Sequence, residues 1–178
     1  MGGWVKNVLG ELQISGEQTI LTGHSWGSYV AYDIAQKMGG VKSLVALDPA
    51  YAGAGYPYQQ IDFGAVSDLS WAIYAEDLFG SAPLSGTADE AFGLEYLGTD
   101  PADTARHGIP VAAFQSLMEQ SHDVVPFLQG LLSPNRLIAG TASDEWKLNQ
   151  YSLGSGLEPP CRSSKGYCRW RSSRGGGR

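Results

Sequence analysis

The chain has 178 residues, of which 43% are hydrophobic, with nine Tyr and five Trp; this reads as one folded domain with a core, not a disordered chain. Its charge is split: all 18 acidic residues lie at or before Glu158, while six of the 12 basic ones follow Cys161, leaving a body near −12 and a last segment near +6. An acidic body argues against nucleic acid as a partner, and no run approaches the about 18 consecutive apolar residues of a membrane-spanning helix.

The opening residues, Met1-Gly2-Gly3-Trp4-Val5-Lys6, have neither the charged region nor the apolar centre of a secretory signal, and Lys6 stands where a myristoylation site needs Ser or Thr. From Trp4 to Leu12, the residues Trp4, Val5, Val8, Leu9 and Leu12 share one face at helical spacing and predict an amphipathic helix. Gly16-Glu17-Gln18 breaks it, and Thr19-Ile20-Leu21-Thr22 predicts a short buried strand ending at Gly23. Beyond Ser25 a helical stripe of Val30, Ala31, Ile34, Ala35 and Met38 runs until Gly39-Gly40. A second strand, Ser43 to Leu47, ends at Asp48-Pro49. Helix, strand, helix and strand in succession predict an α/β fold built on a mostly parallel sheet with crossover helices.

A long loop is expected from Tyr51 to Gly64, then strands at Ser70–Tyr74 and Phe92–Leu97. His107-Gly108-Ile109-Pro110 leads into a helix ending near Glu119, and Ser121 can cap another over residues 124–132. After Ser152 the composition turns to Gly, Ser, Arg and Pro without periodicity. The organisation expected is therefore a body over residues 1–150 and a disordered tail over 151–178. The tail holds Cys161 and Cys168, which would close a small disulfide loop in an exported protein and do not have the spacing of a zinc site.

Gly23-His24-Ser25-Trp26-Gly27 fits the G-x-S-x-G nucleophile elbow, with a strand before it and a helix after it as that motif requires. Glycines on either side of the turn would let strand and helix pass closely while the serine takes a strained conformation. A serine hydroxyl needs a base to take its proton and an acid to orient that base. Of three His, His24 adjoins the serine and reads as structural. His107 follows a loop at the head of a helix and is the first candidate for the base, with His122 the alternative. Asp48 is the first candidate for the acid, because the carboxyl ends of adjacent parallel strands line one site; Asp100 and Asp103 are alternatives. The order Ser, Asp, His is that of the α/β hydrolases.

The elbow, together with Ala46-Leu47-Asp48-Pro49-Ala50, resembles the pancreatic-type (neutral) lipase family and bacterial lipase-like hydrolases of the same order. In that family the elbow reads G-H-S-L-G and the acid lies in a G-L-D-P-A run one strand later. The resemblance is specific over residues 19–50 and looser to about 132. It implies an α/β-hydrolase fold, a triad of Ser25, Asp48 and His107, an ester or lipid substrate, no metal or cofactor, and a secreted parent protein. Thioesterase or acyltransferase chemistry on the same serine is an alternative, as is a non-catalytic protein that keeps the fold.

The oxyanion formed during ester attack needs N–H donors; Trp26 N–H supplies one, and a second usually comes from an upstream strand–helix loop. The residues before Ser25 hold one helix and one strand and no such loop, so weak activity is expected. The same shortage predicts that the first strand lies at a sheet edge, where it invites a homodimer. A piece of a longer hydrolase accounts for both features best. Tyr51, Tyr56, Tyr58 and Phe63, directly after Asp48, form a candidate acyl cleft or lid, with ordinary loop packing the other reading.

Overall fold

The computed structural model describes residues 2–50, 61–75, 82–97, 102–120, 140–141 and 146–152. In chain order these form α1 (Gly2–Glu11), β1 (Ile20–His24), α2 (Gly27–Met38), β2 (Val41–Leu47), β3 (Ser67–Tyr74), α3 (Ala82–Ser85) and β4 (Glu90–Tyr96). After them come α4 (Asp103–Arg106), α5 (Ile109–Gln120), β5 (Gly140–Thr141) and β6 (Trp146–Ser152). One six-stranded sheet has the order β1-β2-β3-β4-β6-β5, with β1 to β4 mutually parallel and the last two strands antiparallel. The chain is thus an α/β protein with a mostly parallel sheet.

Helices cover both faces. On one, Tyr29, Ala31, Tyr32 and Ala35 of α2 pack against Leu44 and Ala46 of β2, with Phe63 and Leu84 completing the cluster. On the other, Ala113, Phe114 and Leu117 of α5 meet Val45 and Leu47 of β2, Trp71 and Ile73 of β3, and Phe92 of β4. Burial from both sides explains why β2 and β3 read as continuous apolar runs instead of alternating ones. The α2 stripe stops where Gly39 takes φ 81°, and the Gly39 and Gly40 N–H groups then donate to the Gln36 and Ala35 carbonyls. Pro110 sits in the first turn of α5, where its missing N–H costs no helical bond.

Several expectations need correction. Helix α1 begins at Gly2 and packs against α2, but Trp4 and Leu12 are exposed at 71% and 63%, so its apolar stripe is only partly covered among the described residues. Strand β1 is half-buried, with Gly23 its one buried residue, because β2 is its single strand neighbour among the described residues. Strand β6 was not foreseen; it runs antiparallel to β4 from Tyr96↔Trp146 to Glu90↔Ser152, two residues past the expected end of the body. The helix expected over 124–132, and the tail with Cys161 and Cys168, lie outside the described residues.

The two elbow glycines are unequal. A Cβ on Gly23 would lie 2.4 Å from the Gly27 carbonyl oxygen and 2.6 Å from the Ser28 nitrogen, both backbone atoms that cannot yield without moving α2. A Cβ on Gly27 meets nothing within 4 Å, so the symmetrical steric role expected from the motif belongs to Gly23 alone. Gly23→Ala is therefore expected to lower stability by about 1–3 kcal/mol through overpacking. Gly27→Ala should be neutral or stabilising, by up to about 1 kcal/mol, because alanine favours the helix. Thermal denaturation of the two variants beside wild type checks the contrast.

Candidate functional site

The parallel register of β1 and β2 sets the site. His24 pairs with Leu47, so Ser25 and Asp48 each leave the sheet one residue beyond paired neighbours and stand side by side. Ser25 N–H donates to the Leu47 carbonyl at 3.0 Å, which stitches the two strand ends together. Both residues have left-handed backbone, φ 55° at Ser25 and φ 42° at Asp48. A non-glycine residue there costs about 1–3 kcal/mol and persists only where its surroundings over-determine it. The strain expected at the elbow serine is present, and a second strained residue faces it.

Trp26 follows with helical angles as the residue that caps the start of α2. Its N–H takes no hydrogen-bond partner among the described residues, so it points from a helix N-terminus as a free donor. The Trp26 ring is 45% exposed and lies 5.0 Å from the Tyr29 ring. The Tyr29 hydroxyl in turn donates to the Ala50 carbonyl at 2.9 Å, tying α2 to the segment just after Asp48.

Asp48 is fully buried. A buried carboxylate is tolerated only where its oxygens accept hydrogen bonds. Oδ1 accepts the Ala75 N–H at 2.9 Å from the end of β3. Oδ2 lies 2.6 Å from His107 Nδ1, the short distance of a charge-assisted bond. Asp48 N–H adds a bond to the Ile73 carbonyl at 2.7 Å, so both its main chain and its side chain are anchored to β3.

His107 lies in the turn between α4 and α5. Arg106 holds that turn to β4, its guanidinium 5.8 Å from the centre of the Tyr96 ring. The His107 side chain is 19% exposed, so it bridges the buried carboxylate and the surface. With Nδ1 bonded to Asp48, Nε2 is the nitrogen directed away from the carboxylate. Ser25 enters the hydrogen bonds of the described residues through its main chain alone. Its hydroxyl therefore has no hydrogen bond to His107 among the described residues.

Of the remaining candidates, Asp103 begins α4, and Asp100 and His122 lie outside the described residues. Tyr51, Tyr56 and Tyr58 do also, but Phe63 does not. It is fully buried, with its ring edge-on to Tyr32 at 6.4 Å, so it belongs to the core and not to a lid or acyl cleft. A cleft of ≈ 530 Å³ lies instead on the α5 side, between the β1 edge and the helix, lined by Thr22, Leu47, Val111, Phe114 and Met118 among others. His24 is the residue that sequence reasoning undervalued, since its side chain reaches His107. The signal was the period of two along β1. Ile20 packs in the α5-side core, Thr22 lines the α5-side cleft, and His24 is next on that face.

No His, Cys, Asp and Glu cluster suited to a metal ion occurs among the described residues, and none of their helices is long and apolar enough to cross a membrane. Asp48→Ala would leave the Ala75 N–H and the His107 imidazole without their acceptor, whereas Asp48→Asn keeps an oxygen for Ala75. The alanine variant is expected to be less stable than the asparagine variant by about 1–3 kcal/mol, measured by urea denaturation. No protein-family model matches the chain, and neither a curated protein nor a solved structure does, so a functional reading rests on this geometry.

Proposed function

We propose that the chain is a serine hydrolase of the α/β-hydrolase type that cleaves carboxylic esters, with lipase-like or esterase-like chemistry. The observation that carries this reading is the Asp48–His107 hydrogen bond of 2.6 Å beside a serine with φ 55° at a strand-to-helix turn. A serine at a strained turn, an imidazole and a buried acid are the three side chains of a serine triad, and they come from three separate regions of the sequence.

In the mechanism proposed, Asp48 accepts the Nδ1 proton of His107 in a hydrogen bond and so keeps Nε2 unprotonated. Nε2 takes the Ser25 proton as Oγ attacks the ester carbonyl. The tetrahedral oxyanion is held by Trp26 N–H at the head of α2. His107 then gives the proton to the leaving alcohol, and water, activated the same way, releases the acid from Ser25. Trp26 N–H is the donor found for the oxyanion among the described residues, and a donor of this kind is worth about 10²–10³ in rate. A non-catalytic protein that keeps this fold is the second reading, and the observation on its side is that no hydrogen bond joins the Ser25 hydroxyl to His107 among the described residues.

Hydrolysis of p-nitrophenyl butyrate and p-nitrophenyl palmitate separates these readings. Wild-type turnover should be lost in Ser25→Ala and His107→Ala. Asp48→Asn should lose about 10⁴ in kcat, the effect of forcing the wrong imidazole tautomer in a serine triad. The ratio of the two substrates distinguishes esterase from lipase, and thioester and alcohol acceptors test the transferase variants. Wild-type turnover no greater than that of Ser25→Ala would favour the non-catalytic reading.

A further inference from the structure

We propose that His24, the residue before the nucleophile, is a positioning residue for His107; the role rests on the ester-hydrolase reading above. His24 Nε2–H donates to the His107 carbonyl oxygen at 2.8 Å, a bond that spans 83 residues of sequence. The two imidazoles also touch, with ring centres 4.7 Å apart and planes tilted by 43°. His107 is thereby held at both ends. Its ring is bonded to Asp48 at the end of β2, and its carbonyl is bonded to His24 at the end of β1.

This matters because of where His107 comes from. Ser25 and Asp48 are fixed by the parallel ladder, but His107 arrives on a turn between two helices, whose position a ladder does not set. The carbonyl of a turn residue has no strand neighbour, and a donor from β1 gives it one. That donor belongs to the residue bonded through the chain to Ser25, so the bond sets the height of the imidazole above the nucleophile directly. Serine-to-histidine distance is a quantity on which rate depends steeply; a misplacement of about 1 Å costs about 10²-fold. The ring contact restricts rotation of the His107 imidazole about its own side-chain bonds and so acts on the remaining freedom.

The two contacts can be separated by substitution. His24→Gln keeps an N–H donor near the Nε2 position and removes the ring. His24→Phe keeps a ring and removes the donor. Two measurements are made on each variant and on wild type: kcat and KM for p-nitrophenyl butyrate, and the low-field proton NMR signal of the His107 Nδ1–H bonded to Asp48, assigned by its loss in Asp48→Ala. Cooperative thermal unfolding verifies that each variant is folded.

His24→Phe is expected to lose about 10²-fold in kcat with KM within twofold, and to broaden or lose the low-field signal. His24→Gln should recover kcat to within about fivefold of wild type and keep the signal. Full kcat and an unchanged signal in His24→Phe would overturn the proposal. So would His24→Gln falling as far as His24→Phe, because the donor would then not be the acting contact. A wild type that hydrolyses no ester but loses the signal in His24→Phe sinks the hydrolase reading and leaves the positioning contact intact. A wild type without the signal overturns the Asp48–His107 bond on which both depend.

Discussion

Asp48 is buried with no surface of its own exposed, and a carboxylate in that state must be surrounded by donors. Its donors include the Ala75 N–H at the end of β3 and the imidazole of His107. Much of the site follows from that requirement. The carboxylate can reach Ala75 because β2 and β3 pair in parallel through Leu47↔Ile73. It can reach His107 because the turn ahead of α5 is drawn to the same sheet end. Ser25 then lies beside the pair because β1 is paired to β2 with His24 opposite Leu47. Ser25 and Asp48, each just past a paired strand end, both carry strained left-handed backbone, and the Ser25–Leu47 and Asp48–Ile73 backbone bonds offset part of the strain.

The sheet's asymmetry bears on the same site. On the β3 side, parallel strands and then an antiparallel β6 continue the hydrogen-bonding, so Asp48 is enclosed. On the β1 side the ladder ends among the described residues, and the cleft against α5 opens there. Asp48 is thus enclosed on the β3 side, while Thr22 and Leu47 border the cleft on the α5 side.

Much of the architecture was legible because α/β alternation leaves a strong periodic signal. The stripe from Val30 to Met38 and its stop at Gly39-Gly40 gave α2, and the apolar run before Asp48-Pro49 gave β2. Adjacency of Ser25 and Asp48 needed only the parallel order of the strands. His107 was legible through its position at the head of α5, where only three histidines compete. What remained hidden depends on partners distant in sequence. Strand β6 carries Lys147, Asn149 and Gln150, a weak strand signal on its own that becomes a strand by pairing with β4. Trp4 and Leu12 obey helical spacing yet stay exposed, since periodicity gives a face but not its covering. Phe63 looked like part of an aromatic loop and is core. His24 reads as structural because it adjoins Ser25, although alternation along β1 directs it toward the face where His107 lies.

The central claim is that Ser25 is a nucleophile activated by His107 and Asp48. Incubation with a fluorophosphonate tests it independently of substrate choice, because attack by an activated serine forms a phosphonyl ester and expels fluoride. Intact-mass and peptide mass spectrometry should find one adduct, on Ser25, in wild type and none at equal exposure in His107→Ala. Absence of an adduct in the wild type, or an equal rate of labelling in His107→Ala, would contradict the account.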